Sequence, residues 1–254
     1  MGINYGYQNE YDFVELFNNK FLNDLDKNTQ LFLRDIFGEA IDNSEKIVSW
    51  KNKTFQKTDI FIKYKNYIKN ISLKCGNSNS IHHEPLQEFK RYLEKKEIPY
   101  KTIDKYVSYH YGYKRDKDGR IDYNTQLNCE EYKVLYQDEI DCFNDAINKT
   151  RIIIDMIDRF IVYGNYSDYA IDVLVSGTVD DYVWIKRDDL YDLILSKRDS
   201  HYTSPHFACI TIGPKKRNIN SSKYDRDRYI VAVRWNNIKD SIINYKNIIK
   251  NVDN

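Results

Sequence analysis

Two short runs rich in β-forming residues, on either side of Lys65-Asn66, restrict the fold of this chain more than any other feature of its sequence. A tight turn at these two residues pairs Tyr64 with Tyr67 and thereby sets the register of the whole hairpin. Because side chains alternate between the two faces of a strand, this register gives the hairpin one continuous apolar face. That face, which suits a hydrophobic core, comprises Ile60, Ile62, Ile71 and Leu73.

The opposite face of the same hairpin ends in a group of polar residues. In the predicted register Asp59 stands across from Ser72, and Lys74 follows on the same face because it is two residues further along. A carboxylate at a strand end is a hard oxygen ligand, and Mg²⁺ prefers one or two carboxylates together with water and substrate phosphate. A lysine beside it can orient or deprotonate an attacking water and neutralise developing charge on a phosphate. The sequence therefore predicts a site for phosphate chemistry at this end of the hairpin.

One carboxylate provides only a single protein ligand for a metal ion, so a second acid is expected nearby. The sequence predicts a helix over residues 85–96, and Glu84 and Glu88, four residues apart, would lie on one side of its N-terminal end. Glu39, beside Gly38 at the end of an earlier predicted helix, is a third candidate. All three glutamates stay open as alternatives at the level of sequence.

An aspartate, a hairpin and then an (acid or Ser)-x-Lys pattern resemble the active-site motif of the PD-(D/E)xK nuclease superfamily, which includes most type II restriction endonucleases. The chain departs from that motif twice: Thr58 replaces the proline before the first acid, and Ser72 stands where the second acid is usually found. One branch of restriction enzymes is similar to this arrangement, with Ser-x-Lys and a glutamate moved onto the following helix. Glu88 lies 14 residues after Lys74, as in that branch, whereas Glu84 lies 10 residues after it.

The resemblance covers roughly residues 39–96. It implies an α/β fold with a restriction-endonuclease-like core, in which a mixed β-sheet is flanked by helices in the order α-β-β-β-α-β. It also implies Mg²⁺-dependent hydrolysis of phosphodiester bonds in DNA, in the manner of a type II restriction endonuclease. In this assignment Asp59 binds the metal with one of the glutamates, Lys74 positions the water and Ser72 holds the geometry of the site. A homodimer is expected if the DNA target is a palindrome, since symmetric cutting needs two sites.

The charge of the chain is informative only when it is resolved along the sequence. The formal net charge of +1, from 39 Lys+Arg against 38 Asp+Glu, gives no argument for nucleic-acid binding. Residues 201–254, however, hold ten Lys and Arg against four acids, a net charge of +6. Within them, residues 213–228 join two predicted strands and carry side chains of the kind that bind phosphates and base edges. The predicted DNA-binding residues are Lys215, Lys216, Arg217, Asn218, Lys223, Arg226 and Arg228.

The remaining apolar periodicity predicts helices separated by a few short strands. The tyrosine-rich segment 106–126 is predicted to be irregular, with a turn at Asp118-Gly119. Further strands are expected near residues 170–176, 207–212 and 229–235. The expected helices cover about residues 11–26, 28–38, 85–96, 136–162, 187–195 and 238–249.

Length and composition limit the organisation of the chain. Its 254 residues contain only 9 Gly and 4 Pro and no linker-like segment, which favours a single nuclease-like domain over residues 1–254. Within it we expect a core at about residues 30–100, helical elaborations, and a basic, β-rich C-terminal extension at about residues 201–254. The N-terminus lacks the layout of a signal peptide, no apolar run approaches the roughly 20 residues of a membrane span, and the four cysteines form no CxxC pair. These features predict a cytoplasmic protein without a membrane partner.

Two other classes of function stay open. A catalytically inactive protein with a nuclease fold would bind DNA in a salt-dependent way and cut none. A protein-interaction module, whose tyrosine-rich surface binds another protein, would show no affinity for DNA. The chain has no Gly-rich phosphate loop, Walker lysine or GxSxG elbow, which weakens assignment as a kinase, an ATPase or a serine hydrolase.

Overall fold

The computed structural model describes residues 5–54, 57–75, 79–164, 169–216 and 225–252. The chain groups into two compact units. Unit 1 comprises Met1–Asn79, Ile157–Leu193 and Asn237–Asn254, and unit 2 comprises Ser80–Met156 and Ile194–Asn236. The expected single domain over residues 1–254 stays a prediction.

The α-helices of the described residues are α1 (Tyr5–Phe17), α2 (Lys27–Phe37), α3 (Leu86–Lys95), α4 (Tyr100–Tyr111), α5 (Cys129–Ile147), α6 (Thr150–Ile157), α7 (Arg187–Leu195), α8 (Asp225–Arg228) and α9 (Ile238–Val252). The strands are β1 (Val48–Lys51), β2 (Ile60–Tyr64), β3 (Tyr67–Lys74), β4 (Ser80–Pro85), β5 (Tyr113–Arg115), β6 (Ile121–Gln126), β7 (Val173–Thr178), β8 (Asp181–Lys186), β9 (His206–Phe207), β10 (Ile210–Pro214) and β11 (Ile230–Trp235). Short 3₁₀ segments cover Leu22–Asp24 and Gly38–Ala40, and a π-helical turn covers Asp158–Val162.

Unit 1 is built on a five-stranded mixed sheet with the strand order β1-β2-β3-β7-β8. Strand β7 runs parallel to β3, and the other neighbouring strands are antiparallel. The β2–β3 hairpin has the predicted register, because Tyr64 pairs with Tyr67 and Ile60 with Ile71. Helix α1 contacts β1 and β2, and helix α9 contacts β7 and β8. The coarse α/β class, with helices against a mixed sheet, is therefore confirmed.

One face of this sheet forms the core of unit 1. Helices α1 and α2 pack their aromatic and aliphatic residues against it, since burying apolar surface is the main stabilising contribution to such a fold. The predicted apolar face of the hairpin is thereby confirmed. The buried cluster includes Phe13, Phe17, Phe32, Leu33, Ile36, Ile60, Ile62, Ile71, Leu73, Val173 and Val175.

Unit 2 contains a four-stranded antiparallel sheet with the order β4-β11-β10-β9 and a separate β5–β6 hairpin. The predicted strand at residues 229–235 is present as β11, which also pairs with β4. The single strand expected at residues 207–212 is divided into β9 and β10, which pair with each other in antiparallel fashion. Because β4 is a strand, the prediction that Glu84 begins a helix and shares one helical side with Glu88 is wrong. Pairing with β11, which is distant in sequence, determines this conformation.

Three further sequence expectations are corrected by the structure. Helix α1 ends at Phe17 rather than continuing to residue 26, and Asn19 follows with a φ of 61°, which an α-helix does not accept. Residues 106–126 are regular, because α4 continues to Tyr111 and a β5–β6 hairpin turns at the predicted Asp118-Gly119. The long helix over residues 136–162 is divided into α5, α6 and the π-helical turn, and strand β8 was not foreseen.

Helix α5 begins and ends earlier than the predicted long helix. The side chain of Asn128 accepts a hydrogen bond from the backbone N–H of Glu131, whose carboxylate accepts one from Asn128 in return. This capping box starts the helix before the predicted position. Asn148 ends α5, and α6 begins at Thr150.

The beginning and end of α2 follow from its flanking residues. The carboxylate of Asp26 accepts hydrogen bonds from the backbone N–H groups of Asn28 and Thr29, at 2.9 and 3.1 Å, which is the N-cap arrangement. The hydroxyl of Thr29 also donates to this carboxylate, and this bond, with those from the backbone, lowers the pKa of Asp26. Gly38 ends the helix with a φ of 59°, which glycine adopts without steric cost.

None of the helices in the part of the chain that the structure describes is long and apolar enough to cross a membrane.

We expect Asp26→Ala to lower the free energy of unfolding by about 1 kcal/mol, because two backbone donors at the start of α2 lose their acceptor. Folding lowers the pKa of Asp26, so the difference from the native chain should be full at neutral pH and should shrink as the pH falls through the folded-state pKa. Urea denaturation at neutral pH and at about pH 3 measures both effects. Glu15→Ala, which removes an exposed acid from α1, is the control and should change stability by less than about 0.5 kcal/mol.

Candidate active site

Asp59 lies just before β2, at the open end of the β2–β3 hairpin. Its backbone N–H donates to the carbonyl oxygen of Ile71 at 2.9 Å. Its carboxylate oxygen Oδ2 accepts two hydrogen bonds, from the backbone N–H of Leu73 at 2.6 Å and from the hydroxyl of Ser72 at 3.1 Å. The carboxylate thus takes the place of a strand carbonyl at the end of the ladder, and two donors hold its orientation. Its other oxygen, Oδ1, meets no hydrogen-bond donor within the described ranges.

Lys74 is the last residue of β3 and pairs with Ser176 of the parallel strand β7. It lies on the same face of the strand as Ser72, which is buried, while Lys74 itself is half-buried. No ion pair or hydrogen bond connects its ammonium group to another residue in the described parts of the chain. The structure therefore joins Asp59 to Ser72 directly and places Lys74 two residues further along the same face.

Asp59 also lines an open cleft of about 750 Å³ in unit 1. Residues of α1, of strand β1 and of the segment that joins β1 to β2 surround it. Sequence reasoning missed this cleft, although Tyr7, Glu10 and Tyr11 have the three- and four-residue spacing that places them on one helical face. The described residues that line it are Tyr7, Glu10, Tyr11, Trp50, Lys51, Asn52, Lys53, Thr54, Thr58 and Asp59.

An ion pair crosses the cleft wall between α1 and β1. The ammonium nitrogen of Lys51 lies 2.6 Å from a carboxylate oxygen of Glu10, and both side chains are largely shielded from solvent. The same ammonium lies 3.0 Å from the ring centroid of Tyr7 and 4.8 Å from that of Tyr11. A partly buried cation with a carboxylate and aromatic faces around it is held more firmly than an exposed one. Lys51 therefore fixes the helix face that forms one side of the cleft.

The segment before Asp59 is shaped around Asn52. The Asn52 backbone N–H donates to the carbonyl of Asp59, and its side-chain amide donates to the carbonyl of Thr58, both at 2.8 Å. The side-chain oxygen of Asn52 in turn accepts hydrogen bonds from Thr54. Thr58, which stands at the proline position of the resembled motif, is buried, and its hydroxyl has no hydrogen-bond partner in the described residues. These bonds hold the backbone that presents the Asp59 carboxylate.

The three candidate glutamates lie in three different elements. Glu84 lies in β4 of unit 2 with 2% of its surface exposed, and its carboxylate is 3.8 Å from the imidazole of His82. Glu88 lies in the first turn of α3 in the same unit and forms a 2.6 Å ion pair with Arg91. Glu39 is exposed in the 3₁₀ segment after α2, in unit 1. That one of these acids adds a metal ligand stays a prediction.

The proposed DNA-contacting segment does join two strands, β10 and β11. Lys215 forms a 3.0 Å ion pair with Asp227, and the main-chain carbonyl of Arg228 lies 2.8 Å from Nε2 of His110. A lysine already paired with a carboxylate is less available to a phosphate than an unpaired one. Lys216 lies directly after β10, and Arg226 lies in α8. Arg217, Asn218 and Lys223 lie outside the described residues.

The described side chains around Asp59 do not by themselves complete the coordination of a metal ion. Within the described ranges, no group of three or more His, Cys, Asp or Glu residues converges as a possible metal site. Mg²⁺, however, usually keeps several waters and takes one or two carboxylates besides substrate phosphates. A single oriented carboxylate such as Asp59 is compatible with that mode of binding.

In comparisons with known proteins, no family model matches the chain and no curated protein matches it. The structure defines the class as an α/β protein with a mixed sheet and a polar constellation at one hairpin end. Function has to be argued from that site, because a fold alone does not establish an activity.

Asp59 has a structural role that can be measured separately from any chemistry. We expect Asp59→Ala to be less stable than Asp59→Asn by about 1–2 kcal/mol, because the amide oxygen of asparagine can still accept from Leu73 whereas alanine leaves that N–H without a partner. The midpoints and slopes of urea denaturation give the comparison. Equal stabilities would show that the Leu73 bond is not maintained in solution.

Proposed function

We propose that this protein is a Mg²⁺-dependent endodeoxyribonuclease that hydrolyses phosphodiester bonds in DNA, in the manner of a type II restriction endonuclease. The observation that carries the proposal is the end of β3, where Leu73 and Ser72 orient the Asp59 carboxylate and Lys74 follows with an ammonium that no described carboxylate neutralises. An oriented acid and a lysine on the same face of a hairpin can serve metal-assisted phosphate hydrolysis, the acid as a metal ligand and the lysine as a charge for the phosphate.

The order of elements in unit 1 supports the resemblance to PD-(D/E)xK nucleases. Helix α2 is followed along the chain by β1, β2 and β3, and the helical segment Asp158–Val162 later precedes β7, the parallel neighbour of β3. Within unit 1 this succession is similar to the α-β-β-β-α-β order that the resemblance implies. The second helix of that order was expected at residues 85–96, but β4 follows β3 along the chain and α3 belongs to unit 2, so the turn Asp158–Val162 stands in its place. Asp59 and Lys74 stand at the open end of the β2–β3 hairpin, which is where the resembled motif would have its acid and its lysine.

The donor set at Asp59 fits a hard divalent cation. One carboxylate oxygen accepts two hydrogen bonds, which leaves the other oxygen, Oδ1, to bind an ion. Bound Mg²⁺ supplies Lewis-acid polarisation of a phosphate and a more acidic water. Asp59 would hold the ion, and Ser72 would keep the carboxylate from rotating away from it.

Lys74 has two tasks in the proposed reaction. Its ammonium donates hydrogen bonds that place the attacking water in line with the phosphate, and its charge stabilises the negative charge that develops on the phosphate oxygens. Since the residue is half-buried at the end of β3, this charge acts in a less polar environment than bulk water, where electrostatic effects are larger. Lys74 would be a catalytic residue and Ser72 a positioning residue.

We expect Asp59→Asn and Lys74→Met each to reduce Mg²⁺-dependent cleavage of DNA by about 100-fold or more, because they remove the metal-binding charge and the phosphate-facing charge. Initial rates on a mixed genomic DNA measure the effect. Lys63→Met, an exposed lysine on β2 of the same hairpin, is the matched control and should cleave at the native rate. If all four proteins cleave equally, the site is wrongly assigned.

The second acid can be identified by isosteric substitutions. We expect one of Glu84→Gln and Glu88→Gln to raise the Mg²⁺ concentration needed for half-maximal cleavage, since loss of a carboxylate ligand weakens metal binding. Glu88 forms an ion pair with Arg91 and Glu84 contacts His82, so both carboxylates already have a partner and neither is favoured over the other. Glu94→Gln on the exposed side of α3 is the control. An unchanged metal dependence in both variants would exclude the two glutamates as ligands.

A second candidate function is DNA binding without catalysis. Ser72 stands where the resembled motif has its second acid, and its hydroxyl donates to Asp59. Loss of that acid would weaken metal binding while the fold is kept, which favours an inactive DNA-binding protein over a protein-interaction module. Such a protein would bind DNA in a salt-dependent way and cut none with Mg²⁺ or Mn²⁺. A homodimer and a cytoplasmic location belong to the restriction-type proposal and are tested by the mass of the native protein in solution and by cell fractionation.

A further inference from the structure

We propose that the cleft beside Asp59 binds an unpaired nucleobase, so that the substrate class is DNA that is single-stranded at or next to the cleaved bond. This inference rests on the proposed nuclease function and specifies its substrate. It is carried by three aromatic side chains that line the same cleft as Asp59 and stay accessible to solvent.

Tyr7, Tyr11 and Trp50 are 52%, 42% and 37% exposed, respectively. Single exposed aromatic residues are ordinary on protein surfaces, whereas clefts that bind small ligands are commonly lined by aromatic side chains. Trp50 is on the face of the sheet that carries Phe61, and Tyr7 and Tyr11 are on α1 at the other side of β1. A nucleobase has two flat faces, and stacking on aromatic rings is the general way in which proteins bind bases without reading their sequence.

The aromatic rings are held in place before any ligand arrives. The indole of Trp50 stacks on the ring of Phe61, with centroids 5.2 Å apart and an interplanar angle of 23°. Tyr7 and Tyr11 meet edge to face at 5.0 Å, and their hydroxyl oxygens lie 2.9 Å apart. Rings that are already ordered lose little conformational freedom when a base stacks on them.

The polar groups of the cleft fit a nucleotide better than an apolar peptide. Lys51 is paired with Glu10, whereas Lys53 is exposed at the same cleft and can approach a phosphate. Asn52 and Thr54 add polar side chains beside them, and Asp59 supplies the proposed metal position. A volume of about 750 Å³ lies within the range of clefts that enclose small ligands. The cleft therefore offers aromatic faces for a base next to groups that contact its phosphate.

The cleft can distinguish duplex from unpaired DNA because the faces of a base are accessible only when the base is outside a duplex. In a duplex each base is stacked between its neighbours, so its faces are covered and only its edges reach the grooves. Aromatic faces such as those of Trp50 and Tyr11 can stack on a base only after it has left the duplex or where no partner strand exists. The cleft thus favours single strands, overhangs or extruded bases.

The test is equilibrium binding of a fluorescently labelled DNA of about 12 nucleotides, followed by anisotropy, with Ca²⁺ in place of Mg²⁺ and a phosphorothioate backbone to prevent cleavage. The native protein should bind the single strand more tightly than the matched duplex. Trp50→Ala should weaken binding of the single strand by roughly 5- to 150-fold, the range for loss of one stacked base. It should leave binding of the duplex, and of a strand made of abasic sites, unchanged.

Tyr67→Ala is the matched control, because Tyr67 is 56% exposed at the turn end of the same sheet and does not line the cleft. It should bind all three DNAs like the native protein. Tyr11→Leu, on the surface of α1, should weaken binding of the single strand as well and keeps the test decisive if Trp50→Ala does not fold. Native affinity of a folded Trp50→Ala or Tyr11→Leu for the single strand, or an equal loss on the abasic strand, would overturn the inference.

Cleavage with Mg²⁺ separates this inference from the function on which it rests. If the native protein cuts duplex and single strands equally and Trp50→Ala cuts like it, the nuclease function stands and the substrate class is wrong. If the native protein cuts no DNA, the nuclease function is wrong, whatever the binding experiment shows.

Discussion

Burial of one face of the β2–β3 hairpin against α1 and α2 is the interaction on which the rest of unit 1 depends. Strand side chains alternate, so placing Ile60 and Ile71 in the core commits Ser72 and Lys74 to the other face. A slip of the hairpin by one residue would expose the apolar face and bury the polar one. The hydrophobic core therefore also determines which residues can form the candidate site.

Asp59 has both a structural role and a proposed catalytic role. The Asp59 carboxylate completes the hydrogen bonding of β3 through Leu73 and also supplies the charge for the proposed metal. Its orientation costs little extra ordering, because the same bonds that end the ladder hold it. On the other side of the cleft, the Glu10–Lys51 ion pair similarly joins α1 to β1 and shapes the surface where a base would stack.

Local signals predicted the elements that local chemistry controls. The hairpin register and the end of α2 at Gly38 follow from turn and backbone preferences. The start of α2 was predicted with Asn28 or Thr29 as its cap, but Asp26 is the N-cap, and Asn28 and Thr29 donate their backbone N–H groups to it. The predictions that were wrong concern segments whose conformation depends on contacts with residues distant in sequence. Strand β4 has a sequence suited to a helix start, yet it pairs with β11 more than a hundred positions away. Residues 106–111 looked irregular because tyrosine favours strands, but Tyr106 and Tyr109 are spaced to bury one side of α4.

By itself, the sequence determined the alternation of the hairpin, and with it the grouping of Asp59, Ser72 and Lys74, since that grouping needs only a turn and a period of two. Tertiary structure alone decided that α1 lies against β1, which brings Glu10 and Tyr11 to Lys51 and makes the cleft. It also decided that Glu84 belongs to a strand of unit 2. The physical reason is the same in each case: contacts between residues distant in sequence depend on which apolar faces are buried together, and a local pattern carries no information about its partner.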